Sequence, residues 1–176
     1  GAAIDVWAVG TKLITSDDCP ALGGVYKLAA EEVDGKLVPK IKLSDNPAKM
    51  TNPGYKKVVR IYDSHSGMSI ADLIMLDHET IDTTKPLRIF DPVETWKTMK
   101  ITNYTLRDLL VPVFVNGEQV YQSPDVREIQ KYATRDLSTF WEAYRRLYNP
   151  HVYKVDLSQE LYDTKQELIK KAVKLD

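Results

Sequence analysis

The apolar run Ala3-Ile-Asp-Val-Trp-Ala-Val9 ends at Gly10-Thr11. A glycine and then a hydroxyl residue at the C-terminal end of a strand suit a phosphate. The bare backbone lets an anion approach the N–H groups, and the hydroxyl adds a donor. The same dipeptide follows strands in many proteins that bind no phosphate, so it needs support from elsewhere in the chain. A second, separate feature is a charge bias that favours an anionic neighbour: between Lys36 and Arg60 stand seven basic residues (Lys36, Lys40, Lys42, Lys49, Lys56, Lys57, Arg60) and one acid, Asp45. Lys40 and Lys42 are also what the solvent side of a half-buried strand requires. Lys49 and Lys56 differ, because they bracket a Pro/Gly-stiffened loop able to hold them in place.

Other chemistries lack their residues. Cys19 sits in Asp17-Asp-Cys-Pro20, where two carboxylates raise a thiol pKa rather than lower it. His65, His78 and His151 are far apart, with no Cys or His one turn away, so no zinc site is supported. A paired-carboxylate acid/base site, a Ser-His-Asp set and a Walker-type loop are all absent. The apolar and charged fractions, 43% and 28%, are those of an ordinary globular protein, and 176 residues suffice for one good core or two small ones. A net charge of −1 provides no global attraction to nucleic acid or to an anionic membrane. No apolar stretch approaches the ~20 residues that span a bilayer. One cysteine fits a reducing, cytoplasmic setting. The start on a buried-type strand, with no polar lead-in, reads as the tail of something larger.

The elements that must position these residues follow from pattern. Val25–Ala30 and Leu37–Leu43 are expected as strands around Asp34-Gly35, and Lys57–Tyr62 and Met68–Met75 as a second hairpin around Asp63–Gly67. Leu87–Phe90 and Thr98–Ile101 are weaker strands. Leu109–Val115 enters the type I′ turn Asn116-Gly117 and returns through Gln119–Tyr121, with Pro112 marking an edge or bulge. The period then changes to 3.6. Ser123-Pro124 is the expected cap of a helix burying Ile129, Tyr132, Ala133, Leu137, Phe140, Trp141, Tyr144 and Leu147. Tyr153–Val155 is a short strand, and Ser158 caps a last helix with Leu161, Leu168, Ile169 and Val173 inward. The class is α+β, strands first and two helices last.

Several ordered motifs together resemble a known family. Val9-Gly-Thr-Lys-Leu13, Ala21-Leu-Gly-Gly-Val-Tyr-Lys-Leu28, Asn46-Pro-Ala-Lys-Met-Thr-Asn-Pro-Gly-Tyr-Lys56, Leu110-Val-Pro-Val-Phe-Val-Asn-Gly117 and Pro150-His-Val-Tyr-Lys-Val-Asp-Leu-Ser158 look like the C-terminal third of bacterial nicotinate phosphoribosyltransferases. The resemblance implies the end of an irregular α/β barrel at residues 1–24, followed by a strand-rich α+β domain at 25–176. It implies a homodimeric enzyme that joins nicotinate to 5-phosphoribosyl-1-pyrophosphate, with ATP and Mg2+ required by the full enzyme and none bound by this segment alone. Gly10 and Thr11 become contacts for the ribose 5-phosphate, as barrels place phosphates after their last strands. Lys49 and Lys56 become candidate contacts to substrate phosphates, and no catalytic residue falls in this segment. Ala8 departs from the family's usual glycine two residues before Gly10. The alternatives are a structural or dimerisation domain that touches no substrate and, third, a small β-barrel that binds nucleic acid.

Overall fold

The computed structural model describes residues 3–21, 24, 26–46 and 49–173. The expected strand start at Val25, Leu22-Gly23 of the second motif and Pro47-Ala48 of the Asn-Pro-Ala-Lys loop lie outside them. In chain order the elements are α1 (Thr11–Thr15), β1 (Ala30–Val33), β2 (Lys36–Pro39), β3 (Lys56–Asp63), β4 (Ser69–Leu76), β5 (Leu87–Phe90), β6 (Thr98–Ile101) and β7 (Tyr104–Asp108). There follow β8 (Phe114–Val115), β9 (Glu118–Gln119), α2 (Val126–Ser138), α3 (Glu142–Arg145), β10 (Val155–Leu157) and α4 (Gln159–Val173). The fold is mixed α/β and rich in strands.

A four-stranded sheet in the order β10-β4-β3-β7 organises the molecule. The Asp63–Gly67 turn sets the register of its central hairpin, pairing Arg60 with Asp72, Val59 with Leu73 and Ile61 with Ala71. Strand alternation then separates two faces. Val59, Ile61, Ala71, Leu73 and Met75 point one way and are closed over by Ile89, Ile101 and Tyr104. Arg60, Asp72 and Ile74 point the other way. At the far edge β10 runs parallel to β4, with Val155 opposite Asp72 and Leu157 opposite Ile74. That pairing brings α4 across the second face, where Leu161 packs with Leu76 and Leu157. Ser158 caps α4 as expected: its hydroxyl oxygen accepts from the Leu161 N–H at 3.2 Å and donates its own proton to Glu79 at 2.6 Å.

Several expectations are corrected. Residues 3–10 form no strand, and α1 begins at Thr11. A strand exists only through a ladder partner, and no described strand pairs with this run. Its side chains are exposed, Trp7 by 73%. The first hairpin keeps its Asp34-Gly35 turn, both residues at positive φ, but its strands are Ala30–Val33 and Lys36–Pro39. Only Phe114–Val115 of the Leu109–Val115 run pairs, since Pro112 offers the ladder no N–H. The sheet instead recruits Tyr104–Asp108. Helix α2 is capped by Asp125 in a reciprocal box with Glu128, not by Ser123-Pro124, and it ends at Ser138. Of the expected stripe, Ile129, Tyr132 and Leu137 of α2 are exposed rather than core, as are Trp141 and Leu147 beyond it, whereas Phe140 and Tyr144 are half-buried against Tyr153. The strand expected at Tyr153–Val155 forms at Val155–Leu157. Val173 of the last helix is exposed.

The loop before β3 is pinned at Gly54. Its N–H donates to the Ala29 carbonyl at 2.7 Å, its φ is +87°, and a Cβ there would lie 2.6 Å from Leu76 Cδ2. Gly54→Ala is therefore expected to lower unfolding free energy by about 2 kcal/mol, the sum of left-handed strain and overpacking. Urea denaturation checks this, and an unchanged midpoint would contradict it.

Candidate functional site

Gly10 is the N-terminal flanking residue of α1, with φ −100° and ψ −167°. This is extended backbone that any residue adopts, and a Cβ built there meets nothing within 4 Å. Neither conformation nor packing within the described residues accounts for a glycine at this position. Thr11 is exposed, and its carbonyl accepts the Thr15 hydroxyl at 2.9 Å. Lys12 and Asp17 form an exposed ion pair at 3.5 Å.

The lysine loop is better anchored. Pro53 and Thr51 are buried, and the Thr51 hydroxyl accepts the Lys42 N–H at 3.4 Å. Asn52 Oδ1 accepts from Lys165 Nζ of α4 at 2.8 Å, and Asp77 N–H donates to the Tyr55 carbonyl at 3.0 Å. The two candidate lysines leave this loop in opposite senses. Lys56 folds back so that its ammonium donates to the Gly54 carbonyl, and burial pushes its pKa below the ordinary lysine value. Lys49 is exposed; its backbone N–H donates to Asn46 and its carbonyl accepts the Lys27 ammonium. Among the described residues no hydrogen bond or ion pair joins Gly10-Thr11 to Lys49 or Lys56. The structure thus presents two separate anion candidates rather than one assembled site.

Much of the remaining basic run is occupied. Lys40 pairs with Glu31 at 3.0 Å, and Lys57 donates to the Asp77 carbonyl at 2.7 Å. Arg60 is held inside the fold. Its guanidinium grips Asp72 with two parallel bonds of 2.8 and 2.9 Å and reaches Asp136 of α2 at 2.9 Å. Phe140 and Tyr153 rings lie 4.7 and 5.7 Å from its central carbon. Asp136 also takes a 2.6 Å bond from Arg107, and Tyr153 donates to Asp72 at 3.1 Å. The hydrogen bonds to Asp72 hold the Arg60 pKa above its ordinary value against the effect of burial. Burial, with Asp72 beside it, pushes the Tyr153 phenol up. Charges at this site sum to zero, two arginines against two aspartates, so it offers no net field to an anion. Reading the sequence alone missed this cluster. The available signal was a charged residue in each of two apolar strands, at positions the hairpin turn brings opposite each other.

On the opposite sheet face Asp156 is buried. Its Oδ2 has no aligned hydrogen bond, though the Lys154 ammonium lies 3.1 Å away. Burial raises its pKa above the ordinary 3.8; Lys154 opposes that rise and Asp91 adds to it. The histidines hold local roles. The His65 N–H donates to Asp63, His78 Nε2 is 2.8 Å from Glu160, and His151 packs edge-on to Tyr144. Cys19 is an exposed free thiol. Among the described residues no three His, Cys, Asp or Glu side chains converge as a metal site, and no helix is long and apolar enough to cross a membrane.

Two predictions follow from these charge clusters. Asp136→Ala leaves Arg60 and Arg107 short of a half-buried partner, and is expected to cost about 2 kcal/mol in urea unfolding. An effect under about 1 kcal/mol, the scale of a surface pair, would contradict it. Asp156 carries the pH signature. Because folding raises its pKa, its favourable contribution is complete below the unfolded value and is lost as pH rises through the folded one. The unfolding free energy of Asp156→Asn, relative to the parent, should therefore climb as pH rises above the ordinary carboxylate value and level off once the folded-state carboxyl has ionised. A flat difference would show that Lys154 compensates fully.

The family model "Nicotinate phosphoribosyltransferase C-terminal domain" matches residues 55–165, from the start of β3 into α4. The nicotinate phosphoribosyltransferase of Bacillus subtilis is 47% identical over 169 residues, covering 96% of this chain and 34% of that protein. The Homo sapiens enzyme of the same name is 32% identical over 162 residues, covering 92% and 29%. The crystal structure of human nicotinic acid phosphoribosyltransferase superposes with a TM-score of 0.58 at 23% identity, over 69% of this chain and 23% of that one. That likeness is one of fold. The chain spans about a third of the length of the curated relatives it matches.

Proposed function

The chain belongs to the nicotinate phosphoribosyltransferase C-terminal domain family, and from that premise we propose that it is the C-terminal portion of an enzyme joining nicotinate to 5-phosphoribosyl-1-pyrophosphate. The products would be nicotinate mononucleotide and pyrophosphate, in a homodimeric, cytoplasmic protein of NAD biosynthesis. The family match across the sheet and into α4 carries this reading. ATP hydrolysis with Mg2+ would drive the reaction. No described cluster here fits a metal, and this segment is given no share in holding one.

Its own share is positioning. Residues 1–24 would be the end of the barrel, and the apolar side chains exposed among residues 3–21 would be buried by barrel strands from the rest of the enzyme. Gly10 would admit the ribose 5-phosphate to its backbone N–H, with Thr11 adding a hydroxyl donor. Lys49, outward on an anchored loop, would meet a substrate phosphate. Lys56, turned onto Gly54, would serve the loop's shape and reach a phosphate only by swinging out. The exposed stripe of Ile129, Leu137 and Trp141, with Phe114 and Leu147, favours a second reading: a domain that packs the assembly and touches no substrate.

The two readings separate at Gly10. The described residues leave room for a side chain there, so Gly10→Val in the whole enzyme, with circular dichroism and oligomeric state unchanged, tests the phosphate contact. The positioning reading expects KM for 5-phosphoribosyl-1-pyrophosphate to rise at least about tenfold, the loss of one charge-assisted hydrogen bond. An unchanged KM would favour the packing reading. Failure of the whole enzyme to form nicotinate mononucleotide from nicotinate, the diphosphate donor and ATP would remove both.

A further inference from the structure

A cleft of about 430 Å3 opens where α4 crosses the β10 edge of the sheet. Alternation makes its floor apolar: Ile74 of β4 and Val155 and Leu157 of β10 share this face. Ile169 of α4 and Met50 add to the walls. The one cation among its described lining residues is Lys165, half-buried, whose Nζ donates to Asn52 Oδ1 at 2.8 Å. Asn52 is neutral, and among the described residues Lys165 has no ion-pair partner. The neighbouring carboxylate on β10, Asp156, alternates to the opposite face, where Lys154 meets it. Burial lowers the Lys165 pKa, and no acid offsets this. An ammonium has three protons to place, and Asn52 takes one of them, leaving others for an acceptor in the cleft.

We propose that this cleft binds a small organic carboxylate with an apolar body, its carboxylate pairing with Lys165 and its chain covering Ile74, Val155, Leu157 and Ile169. The volume lies in the range of small-molecule sites, and the lining is mainly apolar with few polar groups. The phosphoribosyl reading places no ligand here and uses Lys165 only to hold Asn52 of the lysine loop.

Calorimetric titration of the whole enzyme with octanoate, nicotinate being present at saturation, tests the site. Binding is expected to saturate, with a dissociation constant on the order of a millimolar or tighter. Lys165→Met should weaken it at least about tenfold while far-UV circular dichroism stays unchanged, and Lys165→Arg should restore most of it. Ile169→Asp, which leaves Lys165 in place but puts a like charge in the cleft, should abolish it. Octan-1-ol and inorganic phosphate, each carrying half of the chemistry, should bind at least about tenfold more weakly than octanoate. Absence of saturation, full affinity in Lys165→Met, or phosphate binding as tightly as octanoate would each overturn the proposal.

Discussion

Arg60 has to be neutralised inside the fold, and much of the architecture follows from how that is done. Its position in β3 points it to the second sheet face, and its side chain is 12% exposed. Burying a guanidinium costs several kcal/mol unless its donors are met. Asp72, opposite it on β4, takes two; Asp136, 76 residues later, takes a third. That last bond brings the C-terminal end of α2 down on the sheet. Ser69 and Thr139 secure it beside the charges, N–H to carbonyl at 2.7 Å and hydroxyl to hydroxyl at 2.9 Å. Phe140 and Tyr153 close over the cation, so the chain after α2 is led toward β10. The hub is therefore a framework device, and its zero net charge fits that role better than ligand binding.

Beside the hub, the same sheet face carries the anchored loop. Leu76 and Leu157 receive α4, α4 supplies Lys165 to Asn52, and Gly54 lies tight against Leu76. Residues 51–56 are thereby fixed by the core, although they form no regular element before β3. A loop held in this way can hold one lysine outward at little further entropic cost. That is the physical link between the fold and the proposed role of Lys49.

Legibility in the sequence tracked whether a residue's partner was local. The β3–β4 hairpin, the β5–β6 pair, the Asp34-Gly35 and Asn116-Gly117 turns and the Ser158 cap all depend on residues a few positions apart, and all form. Strand β7 was hidden because its Tyr104-Thr-Leu-Arg alternation is only five residues long with Asp108 at its end, and its pairing with β3 is long-range. The α2 stripe has helical spacing, which reports amphipathicity but not what covers it. Residues 3–10 show the same limit, since a strand pattern makes no strand without a neighbour. Of the site residues, Lys49 kept the outward position that an anion contact requires. Lys56 turned inward because its backbone opens a buried strand.

In the proposed reading, Lys49 of this segment meets a substrate phosphate while the chemistry lies elsewhere in the enzyme. Lys49 is exposed, and its ammonium has no ion-pair partner among the described residues, so reversing its charge leaves the fold intact. Steady-state kinetics of the whole enzyme carrying Lys49→Glu therefore test the claim most directly. KM for 5-phosphoribosyl-1-pyrophosphate should rise by about tenfold or more, with kcat within about twofold and the penalty shrinking at high salt. An unchanged KM, or a loss confined to kcat, would contradict it.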